Sequence, residues 1–260
     1  MDVKTDLIAW QGEATGSPLI ESAELRCILS NLSQELCRPL ESLRAGFDLL
    51  LVDDAKRFSG DQKGHVRTMS ELCDDMLRLT RDYLDYAGLV HGTLPLNIGT
   101  FTLGALIREI DRRFAPLASA QGISWECVVD SSDAAVATDA SRCQQILGNL
   151  ATNALNYSGD GGLVRLSARH AGDHWTVTVA DQGPGIPDEH LSHVFEPFFR
   201  LPRDERSGVE GNGLGLAICR EMVNQLGGTI ELAARADGGT EAKVSFPLAP
   251  TDVPHAASQN

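Results

Sequence analysis

Leucine recurs along the first part of the chain at helical intervals. Leu25, Leu29, Leu32, Leu36, Leu40, Leu43, Phe47 and Leu50 are each three or four residues apart, which lines them up as one seam of a long helix. A Gly-Ser-Pro punctuation precedes the seam, so the helix is expected from about residue 18, with 1–17 a linker or the tail of an earlier helix. DDAKRFSGDQKG, residues 53–64, breaks the seam with a Gly-Asp turn. A second helical stripe then carries Val66, Met69, Cys73, Met76, Tyr83 and Ala87. Two such helices make an antiparallel hairpin. A lone hairpin buries one side of each seam, so pairing with a second copy into a four-helix bundle is the natural completion.

After HGTLPLN the pattern changes to short strands alternating with helices. Strands are expected near 94–98, 123–130, 134–138, 162–169, 174–181, 228–235 and 241–248, and helices near 102–120, 140–157 and 213–226. In HWTVTVAD, apolar and polar residues alternate with period two, so one face of that strand is buried. Residues 182–212 are rich in proline and glycine and lack periodicity; so long an irregular stretch inside a domain points to a functional lid. The division is a helical hairpin over 18–92, a second domain over 93–250 and a tail over 251–260.

Composition narrows the function. The chain has 260 residues, 42% of them hydrophobic, enough for a real core. A net charge of −14 argues against nucleic acid or an anionic membrane surface as the main partner. A small anionic ligand stays open, because backbone amides and a metal ion can outweigh net charge locally. The six cysteines include no CxxC pair and no histidine cluster accompanies them, so neither a disulfide frame nor a zinc site is expected. No apolar run reaches the ~20 residues of a membrane helix and no signal peptide opens the chain. The expectation is a soluble, cytoplasmic segment, with a membrane-bound portion elsewhere left open.

Four motifs stand in order in the second domain. NLATNALNY places Asn149 and Asn153 four apart on one helix face. An amide oxygen is a hard ligand suited to Mg²⁺, although two such asparagines can equally be structural. DQGPGIP follows a strand, so Asp181 can accept from an exocyclic amine such as that of adenine, with Gly183 and Gly185 letting backbone come close to a ligand. FEPFFR reads as an apolar plug anchoring a loop. GNGLGLAICREM opens a helix with alternating glycines, leaving backbone N–H groups to face an anion.

In order and spacing these motifs resemble the N, G1, F and G2 boxes of the GHKL ATP-binding fold, in its histidine-kinase branch, over roughly residues 95–249. VATDASRCQQILGNL and GGTEAKVSFPL extend the likeness on both flanks. The resemblance implies an α+β fold: a helical hairpin followed by an α/β sandwich of the Bergerat type. It also implies ATP and Mg²⁺ as ligands. By it, Asn153 holds Mg²⁺ with Asn149 in support, and Asp181 reads adenine beside Gly183 and Gly185. Gly211, Gly213, Leu214 and Gly215 form the lid hinge and phosphate loop, Tyr157 borders the nucleotide, and Arg200 or Arg206 reaches the γ-phosphate. Two positions depart from the family pattern: Asn156 stands for a lysine, and Asn212 for threonine or serine.

The hairpin resembles the dimerisation and histidine-phosphotransfer domain of the same family, whose box commonly reads S-H-E-L-R-T-P-L. Here the chain reads SQELCRPL. Gln34 stands in the phosphoacceptor position, Cys37 replaces arginine, and Arg38 replaces the residue after it. Gln34 lies two residues from both Leu32 and Leu36, so it points away from the seam. An imidazole nitrogen can attack the γ-phosphorus of ATP, but an amide nitrogen has its lone pair delocalised and cannot. The chain is therefore expected not to autophosphorylate at position 34. Glu35, which resembles the family's general base, has no imidazole proton to take, and the Arg38 guanidinium cannot accept a proton from water, which tells against phosphatase action. His65, near the start of the second helix, reads as a surface residue and not a substitute acceptor.

The resemblance implies a two-component kinase core with a response-regulator receiver domain as partner. Two origins of Gln34 stay open: an acceptor exchanged deliberately to trap an unphosphorylated state, or a natural pseudokinase acting as an ATP-responsive dimeric interaction module. A clamp-type GHKL ATPase or a serine kinase is a third class, and the heptad hairpin carrying S-x-E-L-x-x-P-L speaks against it.

Overall fold

The computed structural model describes residues 18–52, 59–202, 204, 211–235 and 238–248. The chain divides into two units: one takes residues up to Thr80 with Val90–Leu94, the other takes Arg81–Leu89 with Pro95 onward.

In the first unit, α1 spans Pro18–Val52 and α2 begins at Gly60, running on to Val90. The expected Gly-Asp turn is instead the first turn of α2. Ser59 and Gln62 form a reciprocal cap: the Gln62 N–H donates to Ser59 Oγ at 3.3 Å and the Ser59 N–H to Gln62 Oε1 at 2.9 Å, a capping box that starts the helix at Gly60. Pro39 lies inside α1, where it removes one helix hydrogen bond, and Ser42 Oγ donates to the Arg38 carbonyl at 2.9 Å. Across the hairpin Arg44 pairs with Asp74 at 3.0 Å and Ser70 Oγ donates to Asp48 at 3.0 Å.

The hairpin buries Cys37, Ser70, Cys73 and Leu77. Of the expected stripe on α2, Cys73 is buried, while Met69, Met76 and Tyr83 are exposed in the single chain. Leu36, Leu43 and Leu50 on the α1 seam are exposed too, together with Leu72 and Leu79 on α2. The physical reason is that two helices can close only one interface between them. The side chains of Leu25, Leu29, Leu32 and Ser33 lie outside the described residues, as do residues 1–17 and 251–260.

The second unit is a sheet covered on one face by helices. Its elements are β1 Gly99–Thr102, α3 Leu103–Ala120, β2 Ser124–Val129, β3 Ala135–Thr138, α4 Ala140–Ser158, β4 Leu163–Ala171, β5 His174–Ala180, a 3₁₀ turn at Asp188–His190, α5 Gly215–Gln225, β6 Thr229–Ala234 and β7 Thr240–Pro247. β1 and β3 pair antiparallel, and the main sheet has the order β2-β4-β5-β7-β6. Among the described strands only β2 and β4 pair in parallel, as their connection through β3 and α4 requires. One face carries Val164, Leu166, Trp175, Val177, Val179, Val244 and Phe246, all buried. The buried sides of α3, α4 and α5 supply Phe114, Ile146, Leu147, Ile218 and Met222.

The strand expected near 94–98 is displaced to Gly99–Thr102. The Asn97 N–H donates to the Asp139 carboxylate at 2.8 Å, so the backbone there bonds to a helix cap and not to a strand ladder. Asp139 caps α4 with its other oxygen, accepting from the Ser141 and Arg142 N–H groups. Burial pushes its carboxyl up, but the donors from Ser141, Asn97 and Arg142 bring it below the ordinary value.

Candidate functional site

The site is built where α4, the end of β5, the following loop and the start of α5 meet. Asp181 directly follows β5 and is buried. Its Oδ1 accepts from the Gly183 N–H at 2.8 Å and the Thr240 N–H at 3.0 Å. No described residue donates to its Oδ2. Burial pushes its carboxyl above the ordinary value, and the Gly183 and Thr240 donors with the Arg235 guanidinium only partly offset this. Such a group can accept a hydrogen bond from a ligand amine through an oxygen the protein has not used.

Close backbone approach shapes the surroundings. A Cβ on Gly183 would sit 2.6 Å from the Tyr157 carbonyl oxygen, and one on Gly185 3.0 Å from the Gly239 carbonyl oxygen. Gly239 (φ 94°) lies against the Asp181 carbonyl so closely that no side chain fits. Thr240 and Gly239 went unnoticed in the sequence as site residues. The Gly-Gly-Thr at the β6–β7 turn was the available signal.

On α4 the Asn149 amide donates to the Gly215 carbonyl at 3.3 Å. Asn153, one turn on, is half-buried, and its side chain makes no hydrogen bond among the described residues. Asn149 also touches the Cys219 thiol, which burial pushes up to about 12, so Cys219 is inert core. Asn156 is exposed. Among the described residues no group of three histidines, cysteines or acids could hold a metal. A single amide oxygen beside a phosphate-bearing ligand still fits Mg²⁺, which keeps several waters and takes the rest of its shell from the ligand.

Tyr157 closes α4 and turns to the lid: its hydroxyl donates to Asp204 Oδ2 at 2.9 Å. Arg200 donates from Nη2 to the Asp204 carbonyl at 3.3 Å, so Asp204 gathers both residues. Arg206 lies outside the described residues. Leu214 is fully buried and presents only its N–H, which donates to Asn212 Oδ1 at 3.0 Å. Gly215 is the first residue of α5. Gly211 is exposed, with open space where a Cβ would project. Gly213 (φ 72°) meets Phe198 backbone to backbone: the Phe198 N–H donates to its carbonyl at 3.0 Å, and a Cβ there would lie 2.7 Å from the Phe198 carbonyl carbon.

Several contacts of the second unit reach the last turns of α2, among them Gln145 Nε2 to Asp85 Oδ2 at 3.5 Å and Gln225 Nε2 to the Leu89 carbonyl at 2.9 Å. Asn212 Nδ2 donates to Asp82 Oδ2 at 2.6 Å. The exposed Phe198 ring stacks with Tyr83 at 6.4 Å between centroids. The hydrophobic pattern held no sign of Asp82. In the first unit Gln34, Glu35 and Arg38 are all exposed on α1, and Cys37 is buried.

Residues 138–250 match the family of histidine kinase-, DNA gyrase B- and HSP90-like ATPases. The autoinducer 2 sensor kinase/phosphatase LuxQ of Vibrio cholerae is 30% identical, over 96% of this chain and 29% of its own length. The sensor histidine kinase RcsC of Escherichia coli is 28% identical over 85% of this chain and 23% of its own length. The chain thus spans about a quarter of the length of these curated relatives. Among solved structures, full-length ShkA in complex with AMPPNP superposes with a TM-score of 0.73 at 29% identity, over 87% of this chain and 46% of that one. The nucleotide-free catalytic domain of histidine kinase ThkA gives a TM-score of 0.54 at 30% identity, over 60% of this chain and 98% of that domain.

Proposed function

The chain belongs to the sensor histidine kinases, a family of ATP-dependent phosphotransferases, and on that footing we propose that it binds ATP with Mg²⁺ yet cannot phosphorylate itself at position 34. The observation that carries the first half is Asp181: buried, oriented by two backbone donors, with one oxygen left to accept from the adenine amine. The second half rests on Gln34, an exposed amide in the place of an acceptor imidazole.

Each residue then has a part. Asp181, with Gly183 and Gly185, takes the base. Asn153 would hold Mg²⁺ and Asn149 would keep α5 in register through Gly215. The ion, when bound, neutralises charge on the phosphates. The N–H groups from Gly211 through Gly215 receive the phosphates at the start of α5. Tyr157 and Arg200 hold Asp204 and so the base of the lid. The exposed apolar stripe of Leu36, Leu43, Leu50, Met69, Leu72 and Met76 is what a second copy would cover in a four-helix bundle. The partner is a response-regulator receiver domain. The domains run over 18–92 and 93–250, in the cytoplasmic part of a longer sensor. In the described residues no helix is long and apolar enough to cross a membrane.

A second reading, a natural pseudokinase regulating a partner, draws on Cys37, Arg38 and Asn156. Two experiments test the proposed reading. Calorimetry with ATP and Mg²⁺ should give binding that Asp181→Asn weakens; no binding by the original chain would sink it. Gln34→His separates the readings: a kinase core regains autophosphorylation, a pseudokinase does not.

A further inference from the structure

Asn212 departs from the threonine or serine of the family pattern, and its amide is engaged at both ends. Nδ2 donates to Asp82 Oδ2 at 2.6 Å, and Oδ1 accepts from the Leu214 N–H at 3.0 Å. A carboxylate offers only acceptors, so Asp82 decides which end of the amide faces it. The amide oxygen is thereby turned to Leu214. Leu214 stands immediately before α5, and its N–H is one of the donors that a helix start offers an anion. In this structure that donor is already taken by a side chain.

The neighbouring residues are tied to the same turn of α2. Tyr83, next to Asp82, stacks on Phe198, and the Phe198 N–H donates to the Gly213 carbonyl at 3.0 Å. Residues 212 and 213 of the loop are therefore both held from one turn of that helix, the first through a charged hydrogen bond and the second through the lid strip.

We propose that Asp82 and Asn212 form a self-cap on the phosphate loop, which a nucleotide phosphate must displace to reach the Leu214 N–H. The pair lowers affinity for phosphorylated nucleotides and leaves recognition of the base untouched. The inference rests on the nucleotide-binding reading above. It also makes the last turns of α2 a determinant of ATP affinity, and by linkage ATP a determinant of whether that turn stays attached.

The test is a set of calorimetric titrations of the full chain with ATP–Mg²⁺ and with adenosine. Asp82→Ala and Asn212→Ala should each tighten ATP binding by about 2- to 10-fold, the worth of one displaced hydrogen bond, with adenosine unchanged. The double variant should gain no more than either single one, since both break the same contact. Asp82→Asn keeps an acceptor oxygen and the shape of the side chain, so it should bind ATP as the original chain does. Equal tightening in Asp82→Asn would mean charge repulsion alone and would overturn the self-cap. So would additive effects, weakened ATP binding in the alanine variants, or unchanged ATP affinity in them. If the original chain binds neither ATP nor adenosine, the nucleotide reading fails and takes this one with it. Binding that is indifferent to all four variants overturns only the self-cap.

Discussion

Thr240, the first residue of β7, donates its N–H at 3.0 Å to the carboxylate of Asp181, which follows the last residue of β5. The two strands are sheet neighbours, so the fold itself fixes the orientation of the carboxylate. Asp181→Asn keeps an oxygen for Thr240 and Gly183 but turns an NH₂ toward the ligand amine. ATP affinity should fall roughly 10- to 100-fold, the worth of a hydrogen bond to a charged group, with little change in thermal unfolding. Unchanged affinity by calorimetry would remove Asp181 from the site.

The same residue gives a pH dependence. On the proposed reading the ionised carboxylate accepts from adenine, and burial holds Asp181 above its ordinary value of 3.8. ATP binding should therefore weaken on acidification, with a step that begins above that value. Asp181→Asn should lack this step. A titration in which both proteins show the same pH profile would assign it elsewhere.

Gly213 and Phe198 touch backbone to backbone, and Gly213 has a left-handed φ of 72°. Gly213→Ala should cost about 1–3 kcal/mol of stability from strain and overlap. Gly215→Ala should stay within about 0.5 kcal/mol, because its Cβ would sit in ordinary contact, 3.9 Å from Asn149. Denaturant unfolding of both variants compares them directly; equal losses would contradict the packing described.

Metal removal separates the phosphate end of the site from the base end. Chelating Mg²⁺ should weaken ATP binding and leave adenosine binding as it was. Asn153→Ala should reproduce much of that loss and make the remainder insensitive to the metal. A variant that still responds fully to Mg²⁺ would clear Asn153 of the role.

The hairpin predicts its own partner. Leu43 and Met76 are exposed apolar residues of α1 and α2. Leu43→Glu with Met76→Glu should convert a dimer to a monomer in analytical ultracentrifugation. A monomeric original chain would show that the stripe is covered by something else.

Much of this was legible in the residues. Period-two alternation located β5, the Asn149–Asn153 spacing located one face of α4, and alternating glycines located the start of α5. Helical periodicity found α2 but not which of its stripes lies inside, because Met69 and Cys73 look alike until the partner helix is placed. LPLN resembled a strand because its pattern alternates, yet its backbone bonds to the Asp139 cap. Asp82 and Thr240 were hidden for a different reason. They lie 130 and 59 residues from the groups they hold, and only the fold brings those partners together.

The central claim is an ATP-binding kinase core deprived of its acceptor. Incubating the original chain and its Gln34→His variant with γ-labelled ATP and Mg²⁺ tests it most directly. The account predicts no label on the original chain and acid-labile, alkali-stable label on Gln34→His. Label on the original chain, mapped to the exposed strip around Gln34, would contradict it.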